Sequence, residues 1–217
     1  MTIGRLHVIT DMTLQQSLTH SELAAMALEG GADVVQYREK AVCTTRAHLR
    51  HARSMVHISS RWAGNIVIND RADIAVGASA WGLHIGAHDL EPELARQLIG
   101  PHAILGATAN NLDQARALAE APINYLGVGP VFPTSSKSHP APVLGIEGIE
   151  AIASQTPHPV IAIGSIEPKH VAPLLSAGAF GIAVLSGVCS TADPKEATQA
   201  YRAAIDACLK SEARSAS

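Results

Sequence analysis

The sequence predicts a (β/α)₈ barrel, and three observations carry that expectation. Eight short β-branched runs each precede a longer helical pattern, they recur at a near-regular interval, and nearly every run is apolar throughout. A strand that is apolar on both faces belongs to a parallel sheet covered on both sides, whereas a half-solvated antiparallel strand alternates. Strands alternating with helices build parallel βαβ units. At 217 residues the chain is near the short end for a barrel, and an open doubly wound sheet is the alternative. No G-x-G-x-x-G follows the first strand, which removes the main argument for a dinucleotide-binding sheet.

The elements follow in order. Residues 6–10 form the first strand, and Thr19 or Ser21 caps a helix over 21–29 that Gly30-Gly31 ends. A strand at 34–36 and a helix over 45–59 come next, then a strand at 66–68 and about one helical turn at 73–76. The strand at 82–85 leads to a helix over 92–98, opened by Pro92. The strand at 104–108 is followed by Asn111, which can cap a helix over 112–120. The remaining pairs are a strand at 125–128 with a helix over 146–154, a strand at 160–163 with a helix over 169–177 before Gly178, and a strand at 181–184 with a helix over 195–209. No linker rich in Pro, Gly or Ser divides the chain, so residues 1–217 read as a single domain with a core over about 6–209 and a frayed tail at 211–217.

Composition narrows the function classes. Only 3% of residues are aromatic against 47% apolar, so the core must rest on Ala, Val, Ile and Leu. A domain of this size buries roughly 70% of its unfolded surface without covalent staples. Cys43, Cys189 and Cys208 are an odd, scattered set without C-x-x-C spacing, which suits a reducing cytoplasm. The formal charge of −3 and the lack of a long basic run argue against nucleic acid and membrane surfaces as partners. Residues 1–10 lack a signal-peptide pattern, and no apolar stretch approaches the ~18 residues of a membrane span. A homo-oligomer is compatible with this sequence.

In a barrel, chemistry gathers where strands end and their following loops begin. Gln36, Arg38 and Lys40 stand at alternate positions after the second strand, so on a strand they share one face as a comb of anion-binding groups. Asn69-Asp70-Arg71 follows the third strand and His84-Ile85-Gly86-Ala87-His88-Asp89 the fourth. Thr108 ends the fifth strand with Asn110 and Asn111 just beyond it, and a loop from Gly129 to Lys137 follows the sixth. Gly164-Ser165 and Ser186-Gly187 follow the last two. Each has a plain structural reading: Asn69 and Asp70 as turn formers, Ser186 as a helix cap, the Thr-Ser-Ser segment as a flexible loop. His84 and His88 share no helix face for a zinc pair, and His48, His51 and His57 decorate the outer face of one helix. Together, however, three cations, two carboxylates and several hydroxyls converge on one rim. Asp70 and Asp89 can hold Mg²⁺, which takes one or two carboxylates plus phosphate oxygens, while Arg38, Lys40 and Lys137 neutralise the remaining phosphate charge. Gly164-Ser165 and Leu185-Ser186-Gly187 occupy the usual barrel phosphate position. The residues point to two phosphate-type sites, one of them metal-assisted.

Four strings, in order and spacing, make the chain resemble thiamin phosphate synthases over about residues 6–206. They are Gln36-Tyr37-Arg38-Glu39-Lys40, Ile68-Asn69-Asp70-Arg71, Leu83-His84-Ile85-Gly86 with Asp89, and Gly129-Pro130-Val131-Phe132-Pro133-Thr134 with Lys137. The resemblance implies a transferase that couples 4-amino-2-methyl-5-hydroxymethylpyrimidine diphosphate with 4-methyl-5-(2-hydroxyethyl)thiazole phosphate or its 2-carboxy form. It implies Mg²⁺-assisted loss of pyrophosphate through a pyrimidine-methyl cation that the thiazole nitrogen captures. By position, Gln36, Arg38, Lys40, Asn69 and Thr108 would hold the pyrimidine diphosphate, and Asp70 and Asp89 the metal. Arg38 and Lys137 would act on the leaving group, and Thr134, Ser135, Ser136, Ser165, Leu185 and Ser186 would hold the thiazole phosphate. Thr108 replaces a usual Ser, Ser165 replaces the second glycine of a Gly-Gly turn, and Ala87-His88 replaces Gln-Glu. A thiazole tautomerase on the same barrel is the nearest alternative, but Asn110 stands where that branch places a catalytic histidine. A non-catalytic precursor-binding regulator is a third, and Asp70, Asp89 and Lys137, whose loss would mark it, are all present.

Overall fold

Side chains alternate along eight short strands, and that alternation sorts residues between the inside of a barrel and the layer under its helices. The computed structural model describes residues 3–15, 17–134 and 141–215. Its strands are β1 (Leu6–Thr10), β2 (Val34–Tyr37), β3 (Asn65–Asn69), β4 (Gly82–Ile85), β5 (Ile104–Ala109), β6 (Tyr125–Val128), β7 (Val160–Ile163) and β8 (Gly181–Val184). All neighbours are parallel, and β1 pairs with β8 to close the ring. Leu6 and Val8 pack outward into the layer beneath the helices, while Ile9 joins Ile104, Tyr125, Ile161 and Ala183 in a separate inner cluster. The strands are therefore not uniformly apolar as their runs suggest. His7, Gln36, His84 and Thr108 occupy inward positions among the lining of the central cavity.

The helices are α1 (His20–Glu29), α2 (Thr45–Ser59), α3 (Ala72–Gly77), α4 (Pro92–Ile99), α5 (Leu112–Ala117), α6 (Gly145–Ala153), α7 (Val171–Ser176), α8 (Ser186–Cys189) and α9 (Pro194–Ser215). Local chemistry explains their starts. Thr19 and Glu22 form a reciprocal capping box on α1, and Asn111 accepts from the Gln114 amide at α5. Pro92 occupies the first turn of α4. Three helices depart from expectation by more than one residue at an end. α5 stops at Ala117 because its last turn tightens into bonds from Ala119 to Arg116 and Ala121 to Leu118. The seventh helix opens as a 3₁₀ turn over Pro168–His170, and α9 runs to Ser215 since no breaker follows Leu209. The one-turn α8 has too few residues to show a helical period.

His48 and His51 do not decorate the outside of α2; among the three histidines of that helix, only His57 is exposed. His48 lies on the buried stripe with Ala52, Met55 and Ser59 and bonds the Tyr37 hydroxyl at 3.0 Å through Nδ1. His51 approaches His20, ring centroids 6.0 Å apart. A buried phenol needs a polar partner, and Tyr37, at the outward end of β2, finds it on the helix that covers it.

His7 gives the barrel a pH-dependent stability. Burial drives its pKa down from 6.5 to about 4, against weaker raising effects from the Gly4 carbonyl and Asp33. An unfolded histidine takes up its proton below about 6.5, but the native one resists until about 4. The unfolded state then binds more protons, so stability falls as pH drops through that window and levels off beneath it. The expected loss is about 3 kcal/mol. Urea denaturation between pH 7.5 and 4 should show this slope, and His7→Gln should flatten it.

Candidate active site

A cavity of about 500 Å³ opens at the C-terminal ends of the strands and reaches down to Tyr125 and Ile161. Every candidate residue within the described segments lines it: Gln36, Arg38, Lys40, Asn69, Asp70, Asp89, Thr108, Thr134, Ser165, Leu185 and Ser186. Ser135, Ser136 and Lys137 lie outside the described residues.

The comb after β2 is not a continuous strand, since β2 ends at Tyr37. Gln36 points inward from the strand, and Arg38 and Lys40 reach the same cavity from the loop. Each cation already has a carboxylate. Arg38 Nη1 donates to Asp11 Oδ2, and Lys40 Nζ to Asp70 Oδ2. Asp11 is 1% exposed, and its other oxygen accepts from the Thr13 amide and hydroxyl at 2.9 and 2.6 Å. It thus orients the guanidinium at the cavity wall. The sequence reading overlooked Asp11, although it directly follows β1 and so obeys the same strand-end rule.

Asp70 adopts a left-handed conformation, φ 62°, which Asp tolerates better than most residues. Its amide donates to the His84 carbonyl at 2.8 Å, pinning this turn to β4. Asp89 accepts from the Gly86 amide at 2.6 Å. Burial, then the neighbouring Asp70 carboxyl, raise Asp89 above the usual carboxylate range, with the Gly86 amide and Lys40 opposing. A carboxyl at the cavity mouth that a neighbouring carboxyl makes costlier to ionise suits a divalent cation beside it. Among the described residues no trio of His, Cys, Asp or Glu forms a complete metal cage. A pair of carboxylates completed by phosphate oxygens is the arrangement Mg²⁺ favours.

Across the cavity, Gly164 and Ser165 both have positive φ, 119° and 48°. A Cβ at Gly164 would come within 2.8 Å of Pro130 Cα and Val131 N, so only glycine fits there. Ser165 Oγ donates to the Pro133 carbonyl at 2.7 Å and ties the β7 turn to the loop after β6. Asn110 donates its side-chain amide to the Gly129 carbonyl.

Residues 6–188 match the family model described as thiamine monophosphate synthase. The thiamine-phosphate synthase of Salinibacter ruber is 42% identical over 208 residues, covering 96% of this chain and 91% of that protein. The chain belongs to the thiamine monophosphate synthase family. The thiamine-phosphate synthase of Chloroflexus aurantiacus is 38% identical, covering 93% of this chain and 92% of its own length. A solved thiamine phosphate pyrophosphorylase from Pyrococcus furiosus superposes with a TM-score of 0.86 at 33% identity, over 94% of this chain and 96% of that one. The protein is therefore a transferase of thiamine biosynthesis on the barrel its sequence predicts. No helix among the described residues is long and apolar enough to cross a membrane.

Within this family chain the Ser165 turn is open to a direct test. A left-handed non-glycine residue costs about 1 kcal/mol, and Ser165→Gly removes that cost together with the hydroxyl bond to Pro133. The two effects oppose one another. Calorimetry with thiazole phosphate should find the Ser165→Gly affinity preserved or improved, because backbone amides rather than the hydroxyl would meet the phosphate. Abolished binding would make the Oγ essential.

Proposed function

We propose that this chain joins 4-amino-2-methyl-5-hydroxymethylpyrimidine diphosphate to 4-methyl-5-(2-hydroxyethyl)thiazole phosphate or its 2-carboxy form, releasing pyrophosphate. The observation that carries this reading is that one cavity collects a cationic comb, a facing carboxylate pair and a second hydroxyl-rich turn. In this reading Gln36, Lys40, Asn69 and Thr108 hold the pyrimidine diphosphate, while Arg38 and Lys137 stabilise it as it departs. Thr134, Ser135, Ser136, Ser165, Leu185 and Ser186 hold the thiazole phosphate. Mg²⁺ would be held by Asp70 and Asp89, and when bound it supplies positive charge to the diphosphate. As the carbon–oxygen bond breaks, its electron pair goes to the leaving diphosphate and the thiazole nitrogen captures the pyrimidine-methyl cation. Groups fixed beforehand around the leaving oxygens lower this barrier because the charge they meet grows along the reaction.

Asn110 argues against the tautomerase alternative. Its amide cannot titrate near neutral pH, and it is engaged with the Gly129 carbonyl. Scattered free thiols at Cys43, Cys189 and Cys208 fit a cytoplasmic enzyme. The test is incubation of the purified protein with both substrates and Mg²⁺, with thiamine phosphate and pyrophosphate followed together. Equimolar formation of both is expected. Isomerised thiazole carboxylate without coupling would identify a tautomerase, and tight binding without product a regulator.

A further inference from the structure

At the floor of the cavity, three polar side chains from adjacent strands stand in line. Tyr125 Oη on β6 lies 3.0 Å from His84 Nδ1 on β4, and His84 Nε2 lies 2.9 Å from Thr108 Oγ1 on β5. The two rings stack with centroids 5.5 Å apart and planes inclined by 30°. Two strand glycines make room for them. A Cβ on Gly106 would fall 2.1 Å from the Tyr125 ring, and one on Gly127 would fall 2.9 Å from His84 Cε1. Neither glycine has a positive φ, so space rather than backbone conformation calls for glycine at both sites.

Burial sets the direction of this line. Tyr125 is 1% exposed, and among the described residues its hydroxyl bonds only His84. A proton on Nδ1 would leave the phenolic hydrogen enclosed without an acceptor, at roughly 1–3 kcal/mol. The phenol therefore donates to Nδ1. The ring proton then sits on Nε2 and is donated to Thr108 Oγ1. With its oxygen accepting, Thr108 keeps its own hydrogen to donate, and Thr108 lines the cavity.

We infer that Tyr125 and His84 are positioning residues that hold the Thr108 hydroxyl as a fixed hydrogen-bond donor toward an anionic oxygen in the cavity. The relay stands on the geometry; naming that oxygen as one of the diphosphate rests on the proposed coupling reaction. A lone threonine hydroxyl can rotate to a backbone acceptor, and the relay removes that freedom before substrate arrives. A donor fixed in advance favours the state of greatest negative charge.

The experiment has two arms. Histidine-labelled protein is examined by ¹⁵N NMR at neutral pH, with the His84 signals assigned by difference from His84→Gln. His84 should carry its proton on Nε2 with Nδ1 accepting, and Tyr125→Phe should turn this into a mixture of tautomers. In the kinetic arm, Tyr125→Phe and Thr108→Val should each lower kcat about tenfold or more, within the range for one lost transition-state donor. Thr108→Ser, which keeps a hydroxyl, should recover most of the kcat that Thr108→Val loses. The double variant Tyr125→Phe/Thr108→Val should be no slower than Thr108→Val alone, since Tyr125 acts through Thr108. A proton on Nδ1 in the unmodified protein, or a Tyr125→Phe loss that multiplies fully on top of Thr108→Val, overturns the relay. Absence of coupling by the unmodified protein overturns the proposed function instead, and the NMR arm still decides the relay.

Discussion

Arg38→Gln is expected to lower kcat by about 10²–10³-fold, the usual cost of losing one group aimed at developing charge in a dry site. Arg38 is well placed for that role. Its side chain is only 15% exposed, its guanidinium is bonded by Asp11, and it lines the cavity. The buried partner complicates a simple deletion. Arg38→Ala leaves Asp11, with a side chain 2% exposed, as an unpaired buried charge, which typically costs 3–5 kcal/mol, of order ~4, in stability. Arg38→Gln combined with Asp11→Asn removes both charges and keeps hydrogen-bonding groups in place. That pair should restore most of the melting temperature lost by Arg38→Ala without restoring kcat. Single-turnover kinetics beside thermal melts separates the two effects. Recovery of kcat with stability would make Arg38 a structural residue. Lys137→Ala should behave more simply, lowering kcat far more than it raises KM for the pyrimidine diphosphate.

The second large effect is expected at the carboxylate pair. Asp70→Asn and Asp89→Asn should each raise the half-saturating Mg²⁺ concentration by about tenfold or more, equivalent to ~1.4 kcal/mol. The fold should survive. Asn tolerates the left-handed backbone of residue 70 as well as Asp does, and the half-exposed Lys40–Asp70 pair is worth little, ~0–1 kcal/mol. Asp89→Asn also removes a carboxyl that burial and Asp70 both disfavour as an anion. Without metal, that variant should melt no lower than the unmodified protein. Turnover lost while stability holds marks a site kept for function at some cost in stability. Unchanged turnover in both variants across a Mg²⁺ titration would remove the metal assignment.

Much of the fold was legible because barrel strands advertise themselves locally. The runs at β1, β4, β6, β7 and β8 matched to the residue, and the other three grew by one or two. Caps at Thr19 and Asn111 were readable because a capping side chain acts within three residues. His48 and His51 were misread because their polarity outweighed their spacing. His48 shares an i, i+4, i+7 stripe with Ala52 and Met55, a signal of burial that a hydrophobicity count discards. His7 was hidden for a related reason: it sits inside an otherwise apolar strand, and only barrel closure places it in a shared interior.

By itself, the sequence determined the barrel, its element order and the rim on which candidate residues gather, since each follows from local periodicity and from chemistry placed just past a strand end. The tertiary structure alone decided which groups meet. Arg38 found Asp11 across 27 residues and Lys40 found Asp70 across 30, while His84 joined Tyr125 across 41. Such partners are set by the register in which strands close the ring and by the space that Gly106 and Gly127 leave inside it. Register and interior volume belong to the closed barrel as a whole, so no stretch of chain carries them alone.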